Sequence, residues 1–179
     1  MGYTNCWAYQ PTHPAYANAW PTILDDTRTI INRVRKAGIV IAGPDGHCRP
    51  ILDPTDGIGF NGDATSDLDC EAFQLLAPLS AIRRGTPTAT AFCKTNRKPY
   101  DLAVAAVLLR CVMLVPEAFA IASNGRWERE WTHGAMAFDP AQPAELGARA
   151  VVAELFGTAP VDSPLRDTLA GIRFGVDTR

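Results

Sequence analysis

The chain has only three histidines, His13, His47 and His133, and no C-x-x-C pair, no Walker loop and no EF-hand spacing. Zinc-finger, P-loop nucleotide and EF-hand calcium chemistry therefore have no local signature here. It also lacks an excess of charge: 17 Lys and Arg face 19 Asp and Glu, a net charge of -2. A near-neutral chain exerts no general attraction on nucleic acid or anionic membrane, so polyanion binding, if present, has to be local. The longest apolar stretch, Leu102 to Val115, is interrupted by Arg110 and falls short of the ~20 residues that a spanning helix needs. It predicts a core helix. Met1-Gly2-Tyr3-Thr4-Asn5 offers no basic segment leading into an apolar one, so no secretory signal is expected. Cys6 stands where a myristoylation pattern starting at Gly2 wants Ser or Thr. No internal repeat is visible.

What is present suggests a single domain. A chain of 179 residues buries about 70% of its unfolded surface in one core. Five scattered cysteines, Cys6, Cys48, Cys70, Cys93 and Cys111, are an odd number and suggest reduced thiols in the cytoplasm. Residues 3 to 9 read as a short strand ended by Pro11 and Pro14. From Pro21 to Lys36 the residues Ile23, Leu24, Thr27, Ile30, Ile31 and Val34 recur at helical spacing, and Gly38 follows as a left-handed cap. Ile39 to Ala42 reads as a strand closed by the Gly43-Pro44-Asp45-Gly46 turn. Further strands are expected at Ile58–Asn61, Ala72–Leu76, Thr88–Lys94 and Phe119–Ala122. Helices are expected at 101–115, at 143–156 and, capped by Ser163-Pro164, through Leu169. The fold class is α+β: one antiparallel or mixed sheet with two main helices packed on it, and a helical C-terminal region in which 140–179 forms a peripheral extension.

The stretch most suggestive of chemistry is Phe92-Cys93-Lys94-Thr95-Asn96-Arg97-Lys98-Pro99-Tyr100-Asp101, where three cations precede the core helix. Free amides at a helix start and the positive end of its dipole attract anions, and Lys94, Thr95, Arg97 and Lys98 would add charge and a hydroxyl. Asn61, Asp63, Glu71 and Asn124, each near a strand end, are expected to complete the pocket. Cys93 beside Lys94 would be a thiol of lowered pKa, although no histidine is placed to act as its base. Asp63, Asp67, Asp69 and Glu71 could converge on a hard cation, and His47, Cys48, Cys70 and Glu71 could do so on zinc if their segments met. Arg110, the one charge in the core helix, needs a carboxylate or a path to water.

The segments Met1-Gly2-Tyr3-Thr4, Phe60-Asn61-Gly62, Glu71-Ala72-Phe73, Phe92-Cys93-Lys94-Thr95 and Lys98-Pro99-Tyr100-Asp101 resemble a family of small uncharacterised phage and actinobacterial proteins, over most of residues 1–125. The resemblance implies no established activity. Polar motifs at strand ends imply a common pocket, and histidine often stands in the family where this chain has Asn5 and Cys70, so two groups able to act as ligands or in acid–base chemistry are missing here. Three functional expectations follow. The first is binding of a phosphorylated small molecule or nucleotide at the basic loop. The second is a non-catalytic protein that meets a protein partner, or itself, through Trp127, Trp131, Met136, Phe138, Leu169, Ile172 and Phe174. The third is a metal-dependent phosphoesterase, with the acidic and basic stretches facing one phosphate. The balance lies with a protein that is not an enzyme.

Overall fold

The structure is a computed structural model that describes residues 2–86, 88–137, 146–172 and 174. Strand β1 (Thr4–Tyr9) alternates half-buried and buried side chains from Thr4 to Trp7 and then buries Ala8 and Tyr9, and it is the centre of a three-stranded sheet. Both neighbours, β5 (Ala89–Lys94) and β6 (Phe119–Ser123), run antiparallel to it, with Trp7 opposite Ala91 on one side and Ile121 on the other. The fold is α+β, as expected, but with two sheets instead of one. The strands β2 (Ile51–Asp53), β3 (Gly57–Phe60) and β4 (Phe73–Leu76) pair with one another in a separate antiparallel meander. Aromatic contacts join the two sheets: the ring centroids of Trp7 and Phe73 lie 5.0 Å apart, and those of Phe60 and Phe73 4.9 Å apart. The Tyr9 hydroxyl accepts from the Leu76 amide at 3.1 Å, and the Tyr16 hydroxyl donates to the Leu76 carbonyl at 2.9 Å.

Helix α1 (Pro14–Lys36) buries the expected stripe and starts a full seven residues before Pro21. Pro14 occupies the first turn and His13 caps it, its Nδ1 accepting from the Ala15 amide at 3.1 Å. Pro21 therefore lies inside the helix. It faces solvent with Ala17, the residue whose carbonyl loses its partner, so water can satisfy that carbonyl, while Tyr16 and Trp20 extend the buried stripe. The strand expected at Ile39–Ala42 does not form. Val40 is 53% exposed, Arg35 ties the Ile41 carbonyl back to the helix end at 2.6 Å, and only Ala42 pairs, as an isolated bridge to Asn61.

A short helix α2 (Pro78–Arg83) precedes β5 and was not expected. Helix α3 (Asp101–Leu114) is buried continuously from Asp101 to Leu109 and again at Cys111. It packs against α1, β6 and α5 (Ala148–Phe156), which is how an all-round apolar helix avoids water. Arg110 donates to Asp26 of α1 at 2.7 Å and lies 4.2 Å from the Phe156 ring centre, so its charge joins three helices. The start expected for the third helix, 143–145, lies outside the described residues. Val151 and Val152 of α5 are fully buried, so this helix belongs to the core. No helix forms from Ser163 to Leu169; Leu165 instead bridges in parallel to Ile121, and Arg166 donates its amide to the Ile121 carbonyl at 2.8 Å. Among the described residues no helix is long and apolar enough to cross a membrane.

Candidate functional site

Three strand ends and the start of α3 meet at Asp101. One carboxylate oxygen of Asp101 accepts from the Thr95 hydroxyl at 2.6 Å and from the Asn5 amide at 2.8 Å. Asn5 in turn accepts from the Ser123 hydroxyl at 2.7 Å, and Ser123 accepts from the Gly125 amide at 3.0 Å. Asn5, Thr95 and Asp101 are all buried, so each satisfies the others in a place that water does not reach. Asn124 closes the same corner, exchanging bonds with Thr4 at 3.0 and 3.1 Å.

From this knot the chain turns sharply. Asn96 and Arg97 adopt φ of 52° and 63°, two successive left-handed residues that are not glycine, at a cost of about 1–3 kcal/mol each. The turn brings the Arg97 guanidinium 4.4 Å from the centre of the Tyr3 ring and 3.8 Å from the Glu130 carboxylate, and it donates to the Ala135 carbonyl. Glu130 opens α4 (Glu130–His133) and accepts from the Arg126 amide at 2.8 Å. Tyr3 is 2% exposed. Burial pushes its phenol far above the ordinary range, and the Asp101 and Glu130 carboxylates add to the rise. Lys98 reaches the carbonyl and carboxylate of Asp67.

Beside this turn lies a cavity of about 390 Å³. Arg97, Lys98, Asp101 and Glu130 form its polar side; Ile39, Leu102, Ala105, Met136 and Leu146 contribute to the apolar one. Of the eight residues expected to bind ligand, only Arg97 and Lys98 line it. The others are engaged in the framework. Thr95 gives its hydroxyl to Asp101. Lys94 has its amide bound by the Glu71 carboxylate at 2.7 Å, and Glu71 donates its own amide to the Lys94 carbonyl at 3.2 Å. Asn61 accepts from the amides of Gly62 and Cys70 and donates to the Cys70 carbonyl, while Asp63 caps the 3-10 turn Ala64–Ser66. Tyr3 and Glu130 were missed as site residues: Tyr3 has no charged neighbour, Glu130 belongs to a separate charged run at 126–130, and each reaches the basic loop only through the tertiary fold.

Three chemical expectations change as a result. The first amides of α3 are not free to cradle an anion, because Asp101 and Leu102 donate to the carbonyls of Lys98 and Pro99 at 3.0 and 3.3 Å. Cys93 is completely buried, and burial raises its thiol pKa, the reverse of what an adjacent lysine and helix start suggest. The acidic stretch does not converge: Asp53 and Asp63 bind their own turns, Glu71 binds Lys94, and no group of three or more potential metal ligands occurs among the described residues. Trp127 and Trp131 are buried, their tilted rings 5.9 Å apart between centroids with Arg149 over Trp127, while Phe138 lies outside the described residues. Comparison with known proteins matches the chain to no protein family, no curated protein and no solved structure.

Proposed function

We propose that the protein binds a small organic molecule carrying one anionic group, a phosphate or a carboxylate, in the cavity beside the start of α3. The observation that carries this reading is that two cations singled out by charge alone, Arg97 and Lys98, line a largely aliphatic space of about 390 Å³. Small-molecule sites typically combine that size and apolar character with a few oriented polar groups. Arg97 is held in place by strain and stacking, which pre-organises it for a planar anion. Its guanidinium also donates to the Ala135 carbonyl and stands 3.8 Å from the Glu130 carboxylate, so an anion would join a network that already fixes its direction. Lys98 pairs with Asp67, whose side chain is 98% exposed, and such pairs exchange at little cost. A nucleotide or sugar phosphate remains within this class, held by side chains instead of backbone amides. We place the protein in the cytoplasm on account of its five unpaired thiols.

Phosphoester hydrolysis has less support, since the carboxylates of the acidic stretch are separately engaged. The test is a thermal-shift screen with matched phosphate, carboxylate and uncharged compounds. A ligand present at a hundred times its Kd adds about 2.7 kcal/mol of stability. Anionic compounds are expected to raise the Tm of the native protein and not that of Lys98→Ala. A screen in which no anionic compound shifts the native protein would overturn the proposal.

A further inference from the structure

The hydrogen-bond direction along β1 determines what the outer edge of β5 offers. The Thr4 carbonyl accepts from Asn124 on the β6 side, so Asn5, Trp7 and Tyr9 turn their backbone groups toward β5, where they meet Cys93, Ala91 and Ala89. Thr90, Phe92 and Lys94 must then direct their N–H and C=O groups away from the sheet. Lys94 confirms the direction, because both of its groups are met from outside by Glu71. For Thr90 and Phe92 no partner occurs among the described residues. Phe92 is also 62% exposed, a large aromatic beside an open strand edge, and sheet proteins ordinarily cover or charge such an edge.

We propose that a second copy of this chain pairs antiparallel with the β5 edge, about a two-fold axis at Ala91. Glu71 already fills the edge at Lys94, so two open residues remain, separated by one, and a two-fold axis through the residue between them exchanges them. Thr90 then faces Phe92 of the second copy, and every open donor meets an open acceptor in four interchain bonds. The two exposed Phe92 rings become diagonal neighbours across the seam, about 7–8 Å apart at the backbone, which aromatic side chains span. Lys94, the one charged residue of β5, meets position 88, where the strand has not yet begun, so no like charges oppose each other. The two-fold pairing satisfies all four open groups with the chain's own strand and joins the two exposed Phe92 rings, so a second copy needs no foreign segment.

Sedimentation velocity over a concentration series is the test, using the full chain. Native protein is expected to shift from monomer to dimer as concentration rises. Thr90→Pro removes an N–H that no internal bond uses, and Phe92→Lys puts a charge at the seam. Each should weaken dimerisation by about tenfold or more while leaving the circular dichroism unchanged. If Thr90→Pro disturbs the fold, Phe92→Lys decides alone. A native protein still monomeric at about 1 mM, or a dimer that the folded variants leave equally tight, would overturn the proposal.

Discussion

The two sides of the α3 start use the same kinds of residue to opposite ends. On one side Glu71 gathers Cys93, Lys94 and Tyr100: its carbonyl accepts from the Tyr100 hydroxyl at 2.7 Å and from the Cys93 thiol at 3.1 Å, and its carboxylate accepts from the Lys94 amide. Gly62 is required there, since a Cβ would meet the Leu68 carbonyl and the Tyr100 ring. On the other side Arg97, Lys98 and Glu130 face open space. A polar motif thus divides into residues held in the framework and residues that line the cavity. The difference lies in geometry: Lys94 is exposed away from the cavity with its backbone held by Glu71, whereas Lys98, the same residue type four positions on, lines the cavity and reaches Asp67.

Substitutions should separate the two sides, with the largest effects at the buried knot. Asp101→Ala leaves the Asn5 and Thr95 donors without their acceptor in a buried site and should cost about 3–5 kcal/mol in urea denaturation. Leu108→Ala, in the middle of α3 and fully buried, should cost about 2–5 kcal/mol by the same measurement. Glu71→Ala loses one bond to the Lys94 amide and should cost roughly 0.5–1.5 kcal/mol. Lys98→Ala should fall within about 0.5 kcal/mol of the native protein, because its partner Asp67 is solvated. Equal costs for Glu71→Ala and Lys98→Ala would remove the distinction between the two sides.

Titration gives a smaller effect of known sign. Asp45, Asp53 and Asp63 accept hydrogen bonds in their turns and have carboxyls below the usual range, chiefly through His47, Thr55 and Ser66 respectively. A depressed folded pKa contributes stability above the unfolded value of about 3.9 that is lost as pH falls through the folded value. Urea midpoints should therefore drop on acidification below about 4, and less steeply in Asp63→Asn. At the alkaline end, burial raises the Cys93 and Cys111 thiols, so stability present below the unfolded value of about 8.5 should decline above it.

The sequence made the core more legible than the site, for a physical reason. The stripe from Ile23 to Val34 and the apolar circumference of α3 are local patterns that a helix must bury, and both occur where expected. Pro21 concealed the first turns of α1 because the same residue starts helices and interrupts them. Ile39 to Ala42 has strand composition, but only Ala42 meets a partner, Asn61, and β-propensity has little force without a partner strand. The charges of Arg97 and Lys98 marked a real cavity wall, yet nothing local distinguishes them from Lys94. Thr95 and Asn5 turn inward because Asp101 is there to receive them, and that encounter depends on strand pairing across the whole chain.

The most direct test of this division is a set of melting curves for native protein, Lys98→Ala and Glu71→Ala, each with and without the anionic compound that stabilises native protein most. The expected result is a lower Tm without ligand but a full ligand shift for Glu71→Ala, and a native Tm but no ligand shift for Lys98→Ala. A ligand shift retained in Lys98→Ala and abolished in Glu71→Ala would contradict the account.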